Sequence, residues 1–127
     1  MGLREDLLNN IETTGSITPA AHTASVNGGS ADLQDAKAAI VHWHVGTVTD
    51  GTHTPKLQDS ADNSTWADVA AANLDGTFAA LASNTDQKIG YIGGERYLRA
   101  VSTVAGATTG GVYEATILGG KLRKSPA

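Results

Sequence analysis

The sequence predicts an all-β protein: an antiparallel β-sandwich, jelly-roll or immunoglobulin-like, behind a short N-terminal arm that is helical or extended. Three observations predict it. Turn-forming groups recur along the chain, at Asn27-Gly28-Gly29, Asp50-Gly51, Asp62-Asn63, Asp75-Gly76, Gly93-Gly94, Gly110-Gly111 and Gly119-Gly120. The segments between them are short, rich in Val, Ile, Thr and aromatics, and spaced as in sandwiches and barrels. Several alternate apolar with polar residues, the period of a strand with one face on a core. A more open β-tulip body satisfies the same pattern.

Taken in order, residues 2–12 carry the one helical signal, with Leu3, Leu7, Leu8 and Ile11 at helical spacing and Arg4, Glu5, Asp6, Asn9 and Asn10 between them. A helix of that length is marginal in water alone, and Thr13-Thr14-Gly15-Ser16 ends it with turn formers. Residues 1–15 are therefore expected to form an arm ahead of a sandwich domain spanning 16–120. The clearest strand is Ala39 to Val48, where Val41, Trp43, Val45 and Thr47 share a face. Thr54 to Asp59 and Thr65 to Ala70 follow as a hairpin closed over Ser60–Ser64. Gln87 to Ile92 is one more strand. Arg96 to Ala105 places Leu98, Ala100, Ser102 and Val104 on one face, and Gly111 to Leu118 does the same with Tyr113, Ala115 and Ile117. Residues 121–127 are a basic tail.

Composition narrows the function classes. The 127 residues include 20 alanines but only 25 Leu, Ile, Val and Phe, so the core is expected to be thin and a partner surface to supply part of the burial. No run of about 18 apolar residues is present, and the acidic start Arg4-Glu5-Asp6 is not that of a signal peptide, so no membrane partner is expected. With Cys 0, disulfides, thiolate metal sites and cysteine nucleophiles are excluded. Between Glu5 and Asp86 eleven acids stand against Lys37 and Lys56, a net of -9, whereas from Gln87 onward six bases stand against Glu95 and Glu114, a net of +4. Such a two-ended chain suits docking onto copies of itself or a charged scaffold, and its acidic total argues against nucleic acid.

No arrangement of catalytic residues emerges, and the chain is not expected to be an enzyme or to need a cofactor. His42 and His44 fall on one strand face, where two imidazoles could share a metal if His53 or His22 supplied a third ligand, but no carboxylate stands at same-face positions along that strand. Asp59, Asp62 and Asn63 lack the spacing of a calcium loop and fit a hairpin tip that makes local hydrogen bonds. No Gly-x-Ser-x-Gly elbow or phosphate-binding glycine loop occurs. Trp43, Trp66, Tyr91, Tyr97 and Tyr113 could form a sugar-stacking platform, although a small β domain usually spends its aromatics in the core.

The run Asp50-Gly51-Thr52-His53-Thr54-Pro55-Lys56-Leu57-Gln58-Asp59-Ser60, followed by Asp62-Asn63-Ser64-Thr65-Trp66, resembles a group of small tailed-phage head proteins encoded near the major capsid protein. The likeness continues through Gly76-Thr77-Phe78, Gly90-Tyr91-Ile92-Gly93, Arg96-Tyr97-Leu98-Arg99 and Val104 to Gly111, covering about residues 31–120. The resemblance implies a capsid decoration, or cement, protein: a structural virion protein on the outer surface of the capsid, bridging neighbouring major capsid protein subunits. Self-association is expected, a homotrimer at local three-fold sites being favoured and a dimer at two-fold sites fitting the same sequence. On this reading Leu3, Leu7, Leu8 and Ile11 anchor on the shell or an adjacent copy. Arg96, Arg99, Lys121, Arg123 and Lys124 meet acidic patches on the capsid or on a neighbouring copy. The alternative is a virion-surface module of sandwich type that binds host glycans.

Overall fold

The computed structural model describes residues 11–34 and 38–120. Among them nine strands form two antiparallel sheets: β1 (Ile11–His22), β2 (Val26–Asp32), β3 (Ala38–Val48), β4 (Thr52–Ser60), β5 (Ala67–Asp68), β6 (Leu74–Asp75), β7 (Asp86–Tyr91), β8 (Tyr97–Ala105) and β9 (Gly111–Gly120). One sheet has the order β1-β9-β3-β7-β6 and the other β2-β8-β4-β5. The first strands pair with the last, β1 with β9 and β2 with β8, and inside them β3 pairs with β7 and β4 with β5. Rolling that long ribbon brings β3 against β9 and β4 against β8. This is the jelly-roll winding, which separates the two sandwich types left open by the sequence.

The strand alternation works as the sequence indicates except at Thr47, which is exposed beyond a register shift between Val45 and Val48. Val41, Trp43 and Val45 of β3, Leu98, Ala100 and Ser102 of β8, and Tyr113, Ala115 and Ile117 of β9 all point between the sheets and are buried. Alanine has a place in this core: Ala31, Ala39, Ala100 and Ala115 are buried beside Trp43 and Tyr113, small residues filling around large ones. Each fully buried Leu or Ile here is worth about 1.5–3 kcal/mol relative to exposure.

Three local expectations are corrected. Ile11–Ser16 do not close a helix with a turn: they open β1, Ile11 lying opposite Gly120 and Thr14 opposite Ile117. Residues 2–10 of the expected helix lie outside the described residues. Asn27-Gly28-Gly29 is a register shift inside β2 rather than a turn between elements. There Ser16 Oγ donates to the Gly29 carbonyl at 2.7 Å and accepts from the Ala100 amide at 2.9 Å, stitching β1 of one sheet to β2 and β8 of the other. Glycine is required because a Cβ at Gly28 would fall on Ser16 Oγ and 2.7 Å from the Ala100 carbonyl oxygen. The strand expected over Thr65–Ala70 shrinks to Ala67–Asp68, since Ser64 and Thr65 are tied to the hairpin tip.

The sheet edges are blunted against uncontrolled pairing. β1 carries Pro19 and two register shifts, β2 its glycine shift, and β5 and β6 are two residues each.

Candidate functional site

Both described ends of the chain meet at one pole. Ile11 begins β1 opposite Gly120, and Gly120 on its other side faces Ala38 at the start of β3. On the outer face of the sheet at this pole, Ile40 stands opposite Leu118 and is 37% exposed. The two border a shallow apolar hollow of about 170 Å³ with Ala38, Ala39 and Gly120. Beside it a cleft of about 540 Å³ opens between Leu33, Tyr91, Ile92 and Glu95, with Ile92 66% exposed. Tyr91 shapes that cleft: its hydroxyl donates to Asp59 Oδ2 at 2.8 Å and accepts from the Glu95 amide at 3.0 Å. Burial, reinforced by the Asp59 carboxylate, pushes the phenol up to about 12. It stays a neutral hydrogen-bonding post.

Further along the same outer face the surface becomes charged. His44 on β3 lies in register between Asp86 on β7 and Glu114 on β9, and its Nδ1 is 2.6 Å from Asp86 Oδ1. His42 faces Lys88 and Thr116, with Nε2 3.9 Å from Asp86 Oδ2. The carboxylates missing along β3 are supplied by neighbouring strands, a cross-strand relation that spacing along one segment does not reveal. His53 does not join the pair. It belongs to the other sheet, is buried, and bonds Tyr113 and the Asp50 carbonyl. His22 sits against Tyr113, ring centroids 4.6 Å apart. Among the described residues no group of three His, Asp or Glu is placed to hold a metal ion.

The outer face of the four-stranded sheet carries an interlocked polar set. Arg99 lies over the Trp66 ring at 4.4 Å and donates through Nε and an Nη to Gln58 Oε1, while Gln58 and Lys56 both bind Asp68. Arg96 makes a two-pronged pair with Asp32, both bonds 2.9 Å, and lies 5.0 Å over Tyr97. These two expected docking cations are thus engaged within the chain itself. The guanidinium beside Asp32 holds its carboxyl below the usual range.

Ile11 lies in the β1 backbone at the pole. Leu3, Leu7, Leu8, Lys121, Arg123 and Lys124 lie outside the described residues. The aromatic platform does not assemble: Trp43, Tyr91 and Tyr113 are buried, and Trp66 and Tyr97 each carry an arginine over the ring. At the hairpin tip Asp62 Oδ1 accepts from Ser60 Oγ and from the amides of Ser64 and Thr65, and Asn63 takes φ 61°, the local role expected of them. The amide of Thr65 is the first cause holding Asp62 below its ordinary value.

No family model matches the chain, and no curated protein matches it. Among solved structures it is similar to a chain in the structure of infectious bursal disease virus, Gx strain, at 10% identity and a TM-score of 0.44. The likeness covers 85% of this chain and 31% of that one, so this chain spans about a third of the viral chain's length.

Proposed function

We propose that this protein is a structural component of a tailed-phage virion that decorates the outer capsid surface and bridges neighbouring major capsid protein subunits. The observation that carries the reading is the shared pole. Residues 1–10, with Leu3, Leu7 and Leu8, and residues 121–127, with Lys121, Arg123 and Lys124, both depart where Ile11 pairs with Gly120. A leucine-bearing sequence and a basic sequence joined to the sandwich at one place, beside the exposed Ile40 and Ile92, suit seating on a surface. The resemblance over about residues 31–120 points the same way. Many copies on a symmetric shell make weak individual contacts strong in sum, and a trimer at three-fold sites fits that arrangement best.

The test is co-sedimentation of the purified protein with capsids that lack it. Saturable binding is expected, weakened by salt because the tail cations act through screened charge, and reduced when residues 1–10 are removed. Absence of binding at any salt concentration overturns the proposal.

A further inference from the structure

Two Asp-Gly bonds occur in the chain, Asp50-Gly51 and Asp75-Gly76, and the fold treats them in opposite ways. Independently of the capsid reading, we propose that Asp75 is a modification site, isomerising through a succinimide to isoaspartate, while Asp50 is protected. The Gly76 amide nitrogen attacks Asp75 Cγ, and its proton leaves with a carboxyl oxygen as water. Water then adds to one of the two ring carbonyls and breaks that carbon's bond to the nitrogen. Opening at Cγ restores aspartate, whereas opening at the main-chain carbonyl leaves the chain running through Cβ and Cγ with the free carboxylate on Cα. One water is lost and one is gained, so mass and charge are unchanged and no oxidant, cofactor or second substrate is needed.

Asp50 is held at each group the ring closure must move. Its carboxylate accepts from the amides of Thr108 and Thr109 at 3.1 Å and of Gly110 at 2.7 Å, and its carbonyl accepts from His53 Nε2 at 3.0 Å. Gly51 is wedged, since a Cβ there would lie 2.7 Å from Ala107 Cβ. The amides, that of Gly110 first, hold the Asp50 carboxyl below its ordinary value and so keep it as the anion, the form that gives up an oxygen least readily. Asp75 is exposed, and among the described residues its carboxylate has no hydrogen-bond or ion-pair partner. It ends β6, a two-residue strand at the edge of its sheet, and residues 76–85 after it belong to no strand or helix. Such a segment opens locally at little cost. Opposite Asp75 on β7 stands Gly90, whose lack of a side chain leaves the aspartate lying over bare backbone. The turn out of β6 has φ 122° at Gly76, a conformation that favours glycine, so the fold itself places the least hindered nucleophile after Asp75. Asn27-Gly28 is of the same reactive type but lies inside β2, with Asn27 paired to Val101 and the glycine packed on Ser16 and Ala100. Isoaspartate would insert a main-chain methylene at the Asp75–Gly90 pair and release β6 from β7.

The test is to warm the full chain at neutral pH, both folded and in guanidinium chloride, and to locate isoaspartate by peptide mapping and by methyl transfer from a protein-isoaspartate methyltransferase. Breaking even one hydrogen bond to the Asp50 carboxylate before ring closure slows the reaction roughly tenfold, so Asp75 is expected to convert at least about tenfold faster than Asp50 in the folded protein. In denaturant the two rates are expected to converge. Asp75→Glu keeps the charge but would need a larger ring, and is expected to abolish the signal at that position. Conversion of Asp50 as fast as Asp75 in the folded chain overturns the proposal. So does a folded Asp75 that stays intact while the denatured chain converts, and so does a preference for Asp75 that persists in denaturant.

Discussion

His53 Nδ1 lies 2.9 Å from the Tyr113 hydroxyl, joining β4 of one sheet to β9 of the other between the sheets. The other ring nitrogen, Nε2, is 3.0 Å from the Asp50 carbonyl, which can only accept, so Nε2 donates to it. The Tyr113 hydroxyl is also hydrogen-bonded to Ser102 Oγ, 2.8 Å away on β8. What the sequence offers as a spare metal ligand is a polar pin through the core, completed by residues far apart in the chain.

Tyr113→Phe tests the pin. The substitution keeps the ring against Trp43 and His22 but leaves His53 Nδ1 buried without its hydrogen-bond partner. A loss of about 1–3 kcal/mol in urea unfolding is expected, against a change within about 0.5 kcal/mol for the half-buried Tyr97→Phe.

Gly28 tests the stitch between β1, β2 and β8. Gly28→Ala forces a methyl onto Ser16 Oγ and the Ala100 carbonyl, and a loss of about 1–3 kcal/mol in unfolding free energy is expected. At Gly94 an added Cβ meets nothing within 4 Å, so Gly94→Ala is expected to leave the midpoint unchanged. Equal effects at the two positions would remove the steric explanation.

Acid sensitivity follows from carboxylates held in their charged form. The amides of Gly110, Thr109 and Thr108 all point at Asp50 and keep it below 3.8, and Asp62 is lowered by Thr65 and Ser64. Asp68 is lowered first by Gln58 and then by Lys56. Because the folded values lie below the unfolded one, the stability they contribute is present above about pH 4 and is lost as pH falls through the folded values. Urea midpoints are expected to hold between about pH 7 and pH 5 and to drop below about pH 4. Asp50→Asn is expected to lower the neutral midpoint and flatten the acid limb.

Arg99→Ala uncovers one face of Trp66 and releases Gln58. A cost of about 0.5–1 kcal/mol is expected, together with a red shift of tryptophan emission. Trp43 is fully buried, so the shift reports Trp66.

Most of the sandwich was legible because β3, β8 and β9 alternate cleanly and their inward residues fill one core. β1 and β2 were not, for a physical reason. Glycine marks turns and close backbone approaches alike, and at Gly28 the approach of Ser16 and Ala100 is visible only once the sheets are stacked. In β1, Pro19 and two register shifts break the alternation, while the apolar spacing from Leu3 to Ile11 extends a helical pattern into residues that pair with β9. The Asp86-His44-Glu114 row was hidden for a related reason: register across strands is a tertiary fact. Arg96 and Arg99 were expected from charge alone to meet acidic patches elsewhere, whereas the partners they have in the fold, Asp32 and Gln58, lie 64 and 41 residues away.

If the jelly roll sits on the outside of a capsid, pole inward, bridging subunits as proposed, the most direct measurement is a cryo-EM map of particles that contain this chain. The expected result is density for the sandwich on the outer shell over junctions between capsid subunits, with the Ile11–Gly120 pole facing the shell. A fully resolved outer surface bearing no such density, in particles shown by mass spectrometry to contain the chain, would contradict it.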